Sequence, residues 1–122
     1  MDQLPPQVQH QAEQLQEAQQ QAQALARQKQ QLEVNVKETE RALDELSELS
    51  DDTDIYKNIG GIMASTSRSD AKDELEDKKE TLNLRLKQIE RQEERVNKQV
   101  EKLRAKIQDA LKGQGMGPTE AG

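Results

Sequence analysis

Gly60-Gly61 interrupts a chain whose flanking tracts, residues 7–59 and 62–112, contain neither proline nor glycine. Two long tracts without helix breakers admit long helices, and the glycine pair marks where the chain turns back. Around the pair lie Ile55, Tyr56, Ile59, Ile62 and Met63, residues suited to a pleated strand. Two adjacent glycines supply the positive φ angles that a two-residue hairpin turn demands. The sequence therefore predicts a β-hairpin over 54–66. Ile59 faces Ile62, Asn58 faces Met63, Lys57 faces Ala64 and Tyr56 faces Ser65. A lone two-stranded hairpin is marginal in water and leaves its edges open, so strands from other chains are expected to cover them.

The tract before the hairpin reads as a helix over 5–50. Pro5 or Pro6 suits its first turn, where the missing N–H has no partner to lose. Apolar residues fall in two heptad rows: Leu4, Gln11, Ala18, Leu25, Leu32, Thr39 and Leu46, and Val8, Leu15, Ala22, Lys29, Val36, Leu43 and Ser50. A stripe this narrow is a coiled-coil seam, and the glutamine-rich remainder is a solvated face. Asp51, Asp52 and Asp54 sit where the helix dipole disfavours carboxylates, so they read as a stop signal. They do not read as a calcium loop, because Tyr56 breaks the EF-hand ligand pattern and the twelfth-position glutamate is missing.

The second helix is expected over 69–112. Ser69 is its N-cap, with Asp70, Asp73 and Glu74 in the first turn. Its rows are Leu75, Leu82, Ile89, Val96, Leu103 and Ala110, and Lys72, Lys79, Leu86, Glu93, Val100 and Ile107. Gly113 closes it, and residues 113–122 read as a disordered tail. Each helix would be roughly 65 Å long. Near-equal lengths and a tight reversal favour antiparallel pairing, with Val36 near Leu82, Leu32 near Leu86, Ala22 near Val96 and Leu15 near Leu103. The fold class is thus mostly α, an antiparallel two-helix coiled coil joined by a short β-hairpin, in a single domain over 1–122.

In that register Lys29 and Glu93 fall in neighbouring layers. One reading pairs them as an ionic device against slipped registers; the other lets both side chains snorkel to water. A double-mutant cycle separates the two. The paired reading expects a coupling energy of about 0.5 kcal/mol or more, and a coupling of zero removes it.

Composition bounds the function. Of 122 residues 31% are hydrophobic and 34% charged, with no Trp, no Phe and one Tyr, which fits long solvated helices or disorder better than a compact core, and the heptad periodicity decides for helices. No cysteine is present, so disulfides, zinc thiolates and a cysteine nucleophile are excluded. A formal net charge of −6 disfavours a phosphate backbone as partner. The opening Met-Asp-Gln-Leu-Pro-Pro has neither the basic flank nor the apolar stretch of a signal peptide, and no run approaches a membrane span. A soluble, cytoplasmic protein with no nucleic-acid or membrane partner is expected. No phosphate-binding glycine loop occurs, and the single histidine, His10, lies near a helix end as a solvated residue. No catalytic, metal or cofactor residue is expected, and the chain is not read as an enzyme.

The expected pairing sets Leu4, Val8 and Leu15 against Leu103, Ile107 and Leu111, about 60 Å from the hairpin. These are either ordinary coiled-coil core or, as the ends fray, apolar surface offered to another polypeptide, with Met116 adding a flexible contact.

The order of helix, acidic break, Ile-Tyr-Lys-Asn-Ile-Gly-Gly-Ile-Met hairpin and capped second helix resembles the β-type prefoldin subunits of archaea and eukaryotes over residues 4–112. The most specific stretches are Asp54-Ile-Tyr-Lys-Asn-Ile-Gly, Ser69-Asp-Ala-Lys-Asp-Glu-Leu-Glu-Asp-Lys and Leu82-Asn-Leu-Arg-Leu-Lys-Gln-Ile-Glu. One hairpin in a short chain is similar to the β type and unlike the longer α type. The resemblance implies a hexamer of two α-type and four β-type subunits whose hairpins build a double β-barrel body with six coiled-coil tentacles. It further implies an ATP-independent holdase whose tentacle tips cradle unfolded polypeptides and pass them to a group II chaperonin. On this chain Ile55, Tyr56, Ile59, Ile62 and Met63 would build the barrel, and Leu4, Val8, Ile107 and Leu111 would touch client. The competing reading is a coiled-coil tether or scaffold dimer, which needs only the seams and tolerates any connection between the helices.

Overall fold

The computed structural model describes residues 4–113. Helix α1 runs Pro6–Glu48, strand β1 Ile55–Ile59, strand β2 Ile62–Thr66 and helix α2 Arg68–Gly113. Residues 114–122, including Met116, lie outside the described residues. The described residues divide into two compact units, one of residues 4–28 with 89–113 and one of residues 29–88.

In the first unit the paired helices bury Ala18 and Leu25 of α1 with Val96, Val100 and Leu103 of α2. Leu15, Ala22 and Ile89 pack against this cluster. Every one of these residues belongs to an expected heptad row. Alanines at 18 and 22 leave little bulk between the backbones, so the longer α2 side chains fill the space.

In the second unit α2 runs antiparallel to α1. Its first residue, Arg68, bonds to Leu46 and Ser47, whereas Lys79, further along α2, bridges back to Glu40 with Nζ 3.2 Å from Oε2. Leu46 and Leu82 are buried. So is Thr39, a polar residue in the seam, and its hydroxyl donates to the Asn35 carbonyl one turn earlier at 2.9 Å. Bonding back to its own helix satisfies the hydroxyl without a partner on α2.

The hairpin has the register read from the sequence: Ile59 pairs with Ile62, Asn58 with Met63, Lys57 with Ala64, Tyr56 with Ser65, and Ile55 with Thr66. Gly60 and Gly61 both have positive φ, 56° and 92°. A Cβ at either position would meet no atom within 4 Å, so the backbone angle and not crowding requires glycine there. Asn58 braces the turn, its Oδ1 accepting the Gly61 N–H at 2.8 Å.

Both helix boundaries at the hairpin shift slightly from expectation. Helix α1 ends at Glu48, two residues before Ser50, because the Leu49 and Thr53 amides close turns onto Leu46 and Ser50. Helix α2 is capped by Ser67 and not by Ser69. The Ser67 Oγ accepts the Asp70 N–H at 3.0 Å, three residues on. Strand β2 reaches Thr66 directly before this cap, and α2 begins at Arg68, one residue before the expected start.

Candidate functional site

Alternation along the strands sorts the hairpin into two faces. Ile55, Lys57, Ala64 and Thr66 are half-buried, and Tyr56, Asn58, Met63 and Ser65 are exposed. At the turn even the inward parity opens to solvent, with Ile59 54% and Ile62 70% exposed. Tyr56 and Met63 are 56% and 63% exposed, so this short element carries four of the eight large hydrophobic residues exposed among the described residues. The other four, Leu4, Val34, Leu49 and Leu84, are spread over the helices and their ends, as on any protein surface. Each strand pairs only with the other, which leaves one open edge apiece among the described residues. A cluster of exposed apolar side chains beside unpaired backbone groups is a surface built for strand-to-strand contact.

Of the five residues assigned to assembly, Ile55 stands apart. It is half-buried and lines an open groove of about 570 Å³ between the hairpin and the two helices, with Leu46, Leu49, Ile59 and Leu75 among its walls. Tyr56, Ile59, Ile62 and Met63 are exposed, with Tyr56 and Ile59 also bordering that groove. Lys57 ties β1 to α2 through an ion pair with Glu74, Nζ to Oε1 2.8 Å.

A second cluster was not legible in the heptads. Arg68 donates from Nε to the Leu46 carbonyl at 3.1 Å, from Nη2 to the Ser47 carbonyl at 2.8 Å and from Nη1 to Asp51 Oδ1 at 2.7 Å. The signal for it was indirect: α1 has no basic residue in its last turn and no glycine after it, so its last carbonyls need a donor from elsewhere.

In the other unit, the residues assigned to client binding differ in accessibility. Leu4 is 37% exposed, and Leu15, Ile107 and Leu111 are half-buried, while Val8 and Leu103 retain only 1% and 6% of their surface. Val8 and Leu103 are core while the helices remain paired. Between Val8 and Leu15 in the seam, Gln11 buries its Oε1 without a hydrogen-bond partner. An unsatisfied buried amide oxygen costs about 1–3 kcal/mol, which weakens this pairing locally. Lys29 and Glu93, assigned to register, lie in different units; both are half-buried and both have interaction partners.

Among the described residues no helix is long and apolar enough to cross a membrane, and no group of three or more His, Cys, Asp or Glu residues is placed to hold a metal ion.

Paired helices carrying one exposed, edge-open hairpin define a class of coiled-coil subunit that presents strands for assembly. A family model described as prefoldin subunit matches residues 9–114. The chain is 49% identical to prefoldin subunit beta of Methanosarcina acetivorans over 88% of its own length and 92% of that protein. It is 41% identical to prefoldin subunit beta of Archaeoglobus fulgidus, over 93% and 98% of the two chains. Its fold matches the crystal structure of the prefoldin beta subunit from Thermococcus strain KS-1 with a TM-score of 0.84 and 42% identity, covering 91% of this chain and 97% of that one. The chain belongs to the prefoldin subunit family.

Proposed function

We propose that this chain is a β-type subunit of a cytoplasmic, ATP-independent holdase, assembled as a hexamer of two α-type and four β-type subunits. The observation that carries the reading is the hairpin, whose exposed Tyr56, Ile59, Ile62 and Met63 lie beside open strand edges in a chain of the prefoldin family. Strands of neighbouring subunits cover those edges and build a β-barrel body. A tether dimer would gain nothing from an apolar hairpin in water, which favours the assembly reading over the scaffold one.

Unfolded polypeptides are the clients, held at the helix ends and passed on to a group II chaperonin. Leu4, Leu15, Ile107 and Leu111 offer surface while the helices are paired. Val8 and Leu103 join them when the ends separate, a separation that the unsatisfied Gln11 oxygen favours. No step needs a cofactor, a metal or nucleotide hydrolysis.

Deleting residues 1–8 and 112–122 tests the assignment of the client site. The truncated chain is expected to assemble normally but to suppress aggregation of a denatured client several-fold less well at equal particle concentration. Suppression equal to that of the full chain would move the client site away from Leu4, Val8 and their neighbours.

A further inference from the structure

Helix α1 ends under unfavourable conditions. No basic residue occupies its last turn, no glycine follows it, and Asp51, Asp52 and Asp54 crowd the negative end of its dipole. The donor that relieves this comes from beyond the hairpin. Arg68 uses all three guanidinium nitrogens there, two on the Leu46 and Ser47 carbonyls and one on the Asp51 carboxylate. Because Arg68 is the first residue of α2, the clasp joins the two ends of segment 49–67 and closes the root of the hairpin.

The Asp51 carboxylate is 90% exposed, so its ion pair alone is screened by water and contributes little. The two carbonyl bonds carry the clasp. One satisfies the Ser47 carbonyl, which the helix end otherwise leaves open, and the other adds a second donor to the Leu46 carbonyl, which also accepts the Leu49 N–H; together they need donors set in a planar fork. The Lys57–Glu74 pair also restrains β1 against α2, but it is a single ion pair between side chains 41% and 56% exposed and is screened by water, which leaves Arg68, with three bonds, as the principal restraint at the root.

We propose that Arg68 is a positioning residue for assembly: by capping α1 from the start of α2, it fixes the angle at which the hairpin presents its edges to neighbouring strands. The proposal rests on the assembly reading above.

The test uses the full chain, free and mixed with its α-type partner. Arg68→Ala is expected to weaken formation of the mixed particle about 10- to 100-fold, the loss of hydrogen bonds made by a charged group. Helicity stays unchanged, and exchange of the Leu49 amide, whose acceptor Leu46 is shared with Arg68, becomes faster. Arg68→Lys restores the charge but not the fork, so it stays close to Arg68→Ala. Asp51→Asn keeps an acceptor oxygen and assembles nearly as wild type.

Wild-type assembly by Arg68→Ala would overturn the proposal, and so would full rescue by lysine. Loss of the Tyr56–Ser65 strand pairing in the free Arg68→Ala chain would also overturn it, since Arg68 would then hold the hairpin's fold and not its angle. If the wild-type chain forms no mixed particle, the assembly reading fails instead. The Leu49 amide in the free chain then decides, with unchanged exchange in Arg68→Ala refuting the clasp.

Discussion

Ile59→Asp and Ile62→Asp are each expected to disrupt assembly while leaving the helices intact. Both side chains are more than half exposed in the single chain, 54% and 70%, so a carboxylate at either position stays hydrated there and costs the fold little. Covered by neighbouring strands, the same carboxylate is desolvated without a partner. Burying an unpaired charge costs several kcal/mol after relaxation, and the lost isoleucine removes about 2 kcal/mol of apolar burial. At 1.4 kcal/mol per tenfold, assembly should weaken by about a thousandfold or more. Tyr56→Ala removes a large exposed anchor without adding charge and should act in the same direction, less strongly. Native mass and circular dichroism check the pair of outcomes. An unchanged native mass in all three variants would refute assembly through the hairpin.

Leu103→Ala tests the opposite kind of residue. Leu103 is 6% exposed and packs with Ala18, Leu25, Val96 and Val100. Two of the neighbours on this core are alanines, at positions 18 and 22, whose short side chains cannot move into the vacated space. Truncation should therefore cost about 2–5 kcal/mol. Leu84→Ala is the control. Leu84 is 58% exposed, and its loss should change stability by no more than about 0.5 kcal/mol. Urea unfolding in the Ile59→Asp background reads both, because assembly otherwise adds its own concentration-dependent stability. Equal midpoints for the two leucine variants would contradict the placement of Leu103 in the core.

Leu103 and Leu84 also show why much of the fold could be read in advance. Both are leucines in one helix, and only the heptad phase separates buried from exposed. That phase is local information, since a helix's periodicity fixes which residues share a face. The hairpin was legible for a similar reason. A glycine pair at positive φ admits few turn types, and the strand alternation then fixes every pairing from Ile59–Ile62 outward.

What escaped the sequence depends on contacts between segments distant in the chain. Arg68 reaches carbonyls 21 and 22 residues earlier, and no periodicity announces a cap borrowed from another helix. Ser67 displaced Ser69 as the N-cap because strand β2 extends to Thr66, leaving α2 to begin at once. Serines two positions apart offer equal capping chemistry, and the end of the strand chose between them. The rows likewise placed Val8 and Gln11 in one seam without showing that the first is nearly inaccessible and the second unsatisfied. For the proposed client site the consequence is a specific one: access to Val8 and Leu103 requires separation of the helix ends, not merely their presence at the seam.

The most direct test of the account is the native mass and composition of the complex recovered with the tagged full-length chain from its own cells. A six-subunit particle containing a longer coiled-coil chain is expected, with four copies of this chain to two of the other. A stable homodimer with nothing else bound would contradict it, because two hairpins alone leave strand edges uncovered.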